Sequence, residues 1–385
     1  MSDVDFDLHG IVRVRLVDPQ DADVAILRRQ LGPLDGPAQG AADITVRFTD
    51  RIAVDRPLTY VGFPEAGYDG RAFYLLKGQR AASSRTAIPF EDVGVRRCDI
   101  VAERAAGSVP HLLAIVNLTA LTRDVLPLHA SAFLLDGTGV LATGWSKGGK
   151  TETLLAFAAH GARYVGDEWV YLTVDGEMVG LPEPIRLWHW HLRQLPHVWS
   201  GLSRSSRARL TLLDGAAAQA ERLAPALPAA SSVLRRAAPV LRRQAFRQIA
   251  PHELFGAGGT APRARLDALL LVTSHERPDV VVRPMTGDEV ADRMRASLQE
   301  ERASFMASYR QFRFAFPDRS SDVVERAEEL EAKLLTRVFA GRAAYEVGHP
   351  YPFQLADLVL PVREAVDRLT FRSSARTTRE TGDTP

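Results

Sequence analysis

The chain has 385 residues, 46% of them hydrophobic and 25% charged, with a formal net charge of +1. Its length exceeds the size at which one hydrophobic core stops growing, so two domains, or one carrying large insertions, are expected. The near-zero charge gives no global argument for nucleic acid, the lone Cys98 excludes an internal disulfide framework and cysteine-rich metal sites, and no apolar run has the length of a transmembrane segment.

The opening MSDVDFDLHG is acidic and lacks the apolar core of a secretory signal, so a cytoplasmic protein in a reducing compartment is expected. Alternation in Ile11 to Val17 (IVRVRLV) and Ile44 to Phe48 (ITVRF) predicts half-buried strands, and residues 1–105 read as a β-rich N-terminal region without a chemical motif. His111 to Leu121 (HLLAIVNLTAL) predicts a buried helix, which Pro127 keeps from continuing. Ala130 to Leu135 and Val140 to Thr143, joined by the turn DGTG, predict an antiparallel hairpin.

That hairpin runs into GWSKGGKT, Gly144 to Thr151, which fits G-x-x-x-x-G-K-[ST]. In such a loop the backbone N–H groups of Gly144, Trp145, Ser146, Lys147, Gly148 and Gly149 close around phosphate oxygens, Lys150 reaches the outer phosphates, and the Thr151 hydroxyl binds Mg²⁺. Lysine occurs only at Lys77, Lys147, Lys150 and Lys333, so half of the lysines fall in this octapeptide. Thr151 to His160 predicts a helix stopped by Gly161, and a helix N-terminus is where an anion is favoured.

Ala162 to Val165 predicts a strand that ends at Asp167 and Glu168. Adjacent carboxylates raise each other's pKa, which suits a pair in which one binds Mg²⁺ and the other takes a hydroxyl proton. His129, in PLHASAF, is brought near the loop by the hairpin and is a candidate catalytic group. The run RLWHWHLRQLPHVW holds His189, His191 and His197, but it has neither companion cysteines nor H-E-x-x-H, and aromatic packing is the expected role.

Residues 200–250 are rich in arginine, with Arg235, Arg236, Arg242, Arg243 and Arg247, against only Asp214 and Glu221. A helical insertion with a solvated basic face is expected, and an acidic partner is the interaction it would suit. Leu266 to Thr273 predicts a buried strand, Gly287 to Leu298 an amphipathic helix, and Asp322 to Ala340 a longer one. After Arg372 the chain is polar and small-residued, so a disordered tail over 371–385 is expected.

The run from Leu126 to Val170, with its histidine before a hairpin, phosphate loop, helix and acidic pair, resembles the nucleotide-binding core of the HPr kinase/phosphorylase family. The match covers about residues 127–188, with a looser echo at PIRLW, LDALLLV and YEVGHPYPF. Lys147 stands where that family usually has glycine, the pair is Asp-Glu rather than Asp-Asp, and the G-x-N-x-A segment tied to HPr is missing. The resemblance implies a mixed α/β (α+β) fold with a core related to phosphoenolpyruvate carboxykinase, occupying 106–370 with the insertion inside it. It further implies Lys150 and Thr151 at phosphate and metal, Asp167 and Glu168 as metal ligand and general base, and His129 assisting. Relatives are often homo-oligomeric. The expected activity is an ATP- and Mg²⁺-dependent transfer to a hydroxyl of a peptide, protein or small molecule. A carboxykinase-like reaction and a nucleotide-sensing module without turnover are the alternatives.

Overall fold

The computed structural model describes residues 2–62, 65–78, 84–226, 231–351 and 353–380. The chain divides into two compact units, Met1–Glu183 together with Ala261–Pro385, and Pro184–Thr260. The fold is mixed α/β, and among the described residues no helix is long and apolar enough to cross a membrane.

The first unit opens with β1 (Val4–Leu8), β2 (Val12–Val17), α1 (Asp21–Leu31), β3 (Asp35–Pro37), β4 (Ile44–Thr49), β5 (Thr59–Val61), β6 (Ala66–Tyr68), β7 (Phe73–Lys77), β8 (Ser84–Ala87) and β9 (Cys98–Glu103). These strands form one sheet in the order β3-β1-β2-β4-β9-β8-β7-β6-β5. The alternation seen in the sequence sets its faces: Val12, Val14 and Leu16 are fully buried, while Arg15 turns outward to pair with Asp5 at 2.7 Å.

After the buried helix α2 (Leu112–Leu121) come β10 (Val125–Leu135), β11 (Thr138–Thr143), α3 (Lys150–Ala158), β12 (Arg163–Gly166), β13 (Trp169–Thr173) and β14 (Glu177–Gly180). Strand β10 begins earlier than the sequence suggested and runs through Pro127. Over Val125 to His129 it pairs with β13, and over Ala130 to Leu135 with β11. Pro127 therefore sits where the strand has a partner on one side only, which is where a missing N–H is tolerated.

The second unit contains β15 (Ile185–Trp188), α4 (His189–Arg193), α5 (Pro196–Gly201), α6 (Arg204–Leu223), α7 (Ser231–Gln244), β16 (Phe246–Ile249) and α8 (Pro251–Phe255). Helices α6 and α7 meet through Ala217, Ala220 and Ala238, and Arg235, Arg236, Arg242 and Arg243 are exposed. His191 is fully buried beside Trp190, and His189 pairs with Asp214 at 3.1 Å.

The first unit resumes with β17 (Ala264–Arg265), β18 (Ala268–His275), β19 (Val281–Thr286), α9 (Gly287–Ala315), α10 (Asp322–Glu325), α11 (Ala327–Phe339), β20 (Ala343–Pro350) and α12 (Leu355–Glu380). The second sheet has the order β17-β14-β13-β10-β11-β18-β20-β19, with β12 also on β10. Its centre is parallel: β11 pairs with β18 and β18 with β20 in the same direction, so three carboxyl ends meet at one edge. Helix α9 continues 17 residues past Leu298, to Ala315, with Thr286 and Glu289 forming a capping box at its start. The single helix expected over Asp322 to Ala340 is instead two, broken at Arg326 after Ser321 caps the first. Helix α12 runs to Glu380, into the 371–385 stretch expected as a tail, and 381–385 lie outside the described residues.

One continuous core joins both sheets of this unit. One part of it is aromatic: Phe90 lies 5.4 Å from Phe305 and 5.5 Å from Phe312, and Phe73 lies 5.9 Å from Phe312. The carboxyl-terminal half of α9 is thereby fixed on the N-terminal sheet, and truncating fully buried Phe90 to alanine would cost ~3–5 kcal/mol. The other half of α9 lies over the second sheet, where Thr143 Oγ1 meets Met294 Sδ at 3.4 Å.

Candidate functional site

The loop after β11 is shaped by backbone that only some residues adopt. A Cβ on Gly144 would lie 2.3 Å from the Val272 carbonyl oxygen, and one on Gly149, at φ +105°, would lie 2.0 Å from His349 Nε2. Gly148 N–H donates to Trp145 O at 3.0 Å to close the turn, and Gly148 O lies 2.9 Å from His349 Nε2. Lys147 takes φ +62°, in the left-handed region where a glycine is unstrained. Trp145 is half exposed and Ser146 partly so.

Helix α3 starts directly on this loop, and Thr153 N–H and Oγ1 both bond Gly149 O at 2.9 Å. The first turn of a helix has N–H groups without intrahelical acceptors, aimed here back over the loop. Lys150, 5% exposed, donates through Nζ to Gly144 O at 3.2 Å and Trp145 O at 2.9 Å. Burial lowers its pKa, opposed by the charges of Glu301, Glu168 and Asp167.

Thr151 Oγ1 donates to both oxygens of Asp167, at 3.1 and 3.0 Å, and Ser131 Oγ donates to the same carboxylate. Asp167 is 3% exposed; burial, and then the charge of Glu168, push its pKa up to about 7 against the hydroxyl hydrogen bonds. The chain turns at once: Glu168 has φ +63° and, half exposed, points to His129, with Oε2 3.1 Å from Nε2. Adjacent carboxylates therefore face different partners, Asp167 toward α3 and Glu168 toward His129.

His129 Nδ1 meets Glu301 of α9, and the ring stacks on Trp169 at 5.9 Å. Burial by itself lowers the pKa of His129, but the hydrogen bonds to Glu168 and Glu301 outweigh it and raise it to about 9. The ring is thus an imidazolium at neutral pH, clamped between two carboxylates. The structure gathers Lys150, Thr151, Asp167, Glu168 and His129 into one cluster. It adds three groups the sequence did not single out: Ser131, Glu301 and His349. His349 lies within the YEVGHPYPF run, whereas nothing in the charged sequence around Glu301 marks it.

Among the described residues, no group of three or more His, Cys, Asp and Glu side chains is arranged to hold a metal. Mg²⁺ needs no such cage, since it is commonly held by one or two carboxylates together with substrate phosphates and water. The Thr151 hydroxyl and the buried Asp167 carboxylate are hard oxygen donors that fit it, and a cation there would offset the burial of that carboxylate. No family model matches the chain. No curated protein matches it either.

Proposed function

We propose that the protein is an ATP-dependent kinase of the HPr kinase-like type, passing the γ-phosphoryl group to a hydroxyl. The observation that carries this reading is the bond from Thr151, next to Lys150 at the end of a glycine-rich loop, to both oxygens of a buried carboxylate. Loop N–H groups and Lys150 would hold the triphosphate, with Lys150 exchanging the carbonyls of Gly144 and Trp145 for phosphate oxygens. Thr151 and Asp167 would hold Mg²⁺, which supplies charge neutralisation between the phosphates.

The acceptor oxygen forms a bond to the γ-phosphorus as the bridging β–γ P–O bond breaks, and ADP leaves with that electron pair. The acceptor proton passes to Glu168, the half-exposed carboxylate of the pair, while Asp167 would hold Mg²⁺. His129 already carries its proton at neutral pH, so its part is to orient Glu168. The resemblance points to serine of a peptide or protein as the acceptor, with a small-molecule hydroxyl as the alternative.

The test is nucleotide binding and turnover measured together on Asp167→Asn and Glu168→Gln. A kinase keeps ATP binding in Glu168→Gln while transfer falls by ~10²–10⁴. Full partner switching by ATP in that variant, with no turnover in the native protein, would instead make it a nucleotide sensor.

A further inference from the structure

A cavity of about 230 Å³ opens at the carboxyl ends of the parallel strands β18 and β20 and is lined by Thr273, His275, Arg277, Arg283, Glu346 and Gly348. The carboxyl edge of parallel strands is where open α/β sheets bind ligands. Val272, before Thr273, supplies the carbonyl against Gly144, so the cavity adjoins the loop at β18, while the ring of His349, one residue past Gly348, points to the opposite face of the sheet.

Its charge is one-sided. Glu346 is already answered by Arg293 at 2.9 Å, with Thr273 Oγ1 3.5 Å away. Neither Arg277 nor Arg283 has a carboxylate partner among the described residues. Both ring nitrogens of His275 are shut off from solvent and have no hydrogen-bond partner among the described residues. The ring is seated over Gly348, where a Cβ would lie 2.8 Å from its Cδ2. Two exposed guanidinium groups without a carboxylate partner suit an oxygen anion, which accepts from both. The volume equals that of about eight water molecules, room for a small molecule and not for a folded segment.

We infer that this cavity binds the carboxylate or phosphate group of a small acceptor whose hydroxyl receives the phosphoryl group, an inference that rests on the kinase reading. The cavity adds no chemical step; it holds the acceptor by its anion beside the loop.

The experiment is calorimetric titration of the full chain, with ADP and Mg²⁺ saturating the loop, using glycerol, glycerate and glycerol 3-phosphate as probes. One or both anions bind and glycerol does not, and the stronger anion tells carboxylate from phosphate. In Arg277→Gln/Arg283→Gln that binding weakens about tenfold or more while ADP affinity is unchanged. Absence of anion binding at millimolar concentration, or binding unaffected by the double substitution, overturns the inference. Failure of ADP to bind would instead remove the kinase reading, and the same anion titration run without nucleotide would still decide what the cavity takes.

Discussion

Replacing Asp167 by asparagine should make the protein more stable at neutral pH while abolishing transfer. In the unfolded chain this carboxyl titrates at its ordinary 3.8, and in the folded chain at about 7, because burial and the neighbouring Glu168 charge disfavour ionisation. The folded state therefore holds a proton that the unfolded state has released. The stability linked to this group is whole below pH ~4 and drains away between there and pH 7. At ~1.4 kcal/mol per pKa unit, the ionised carboxylate costs the fold about 4 kcal/mol by pH 8. Asparagine removes the charge but brings a buried NH₂ in need of an acceptor, which costs ~1–3 kcal/mol. The net gain is then about 1–3 kcal/mol, a few degrees in Tm. The assay is thermal unfolding of both proteins from pH 4 to pH 8 without nucleotide or Mg²⁺. The gain should be present at pH 8 and should shrink or reverse by pH 4. A variant that is less stable at pH 8, or a difference independent of pH, would refute the reasoning that Asp167 is a strained anion awaiting a cation.

The clamp on His129 predicts a second pH effect. Its folded pKa of about 9 lies above the ordinary 6.5, so its contribution to stability is complete below pH 6.5 and is lost as pH rises through 9. Glu301→Gln removes one of the two carboxylates and should lower the His129 midpoint by about one unit or more, read from its imidazole NMR signals; an unmoved midpoint contradicts the clamp. Gly149→Ala combines φ +105° with a Cβ driven into His349, and should cost ~1–3 kcal/mol or more in unfolding and weaken ATP binding. His349→Ala in the same chain should recover the steric part only; full stability of the single variant would mean the loop is not braced by β20. Lys147→Gly should stabilise the left-handed position by ~1 kcal/mol, and a loss of stability would show that the lysine side chain holds the loop.

The hairpin, the glycine-rich loop and the helix behind it were legible because each is written locally. Alternation, a DGTG turn and a phosphate-loop pattern fall within about thirty residues. The adjacent carboxylates were legible as a pair but not as two roles. Their separation comes from Glu168 adopting φ +63° between β12 and β13, both of which pair with β10. Glu301 was invisible because it lies 172 residues from His129 on a helix whose surface charges look alike, and only the docking of α9 brings them together. That docking depends on Phe73 and Phe90, which gives residues 1–105 a structural part that their sequence did not announce. The break at Arg326 was hidden for a similar reason, since Ser321 caps α10 while its hydroxyl is anchored to Val93 O at 2.8 Å, far away in the chain.

The most direct measurement is transfer of label from γ-labelled ATP with Mg²⁺ into a lysate of the source organism, separated into macromolecular, peptide and small-molecule fractions, with Asp167→Asn as control. The account predicts label in one fraction with the native protein and none with the variant. Tight ATP binding by the purified native protein, with no label moved into any fraction, would contradict it.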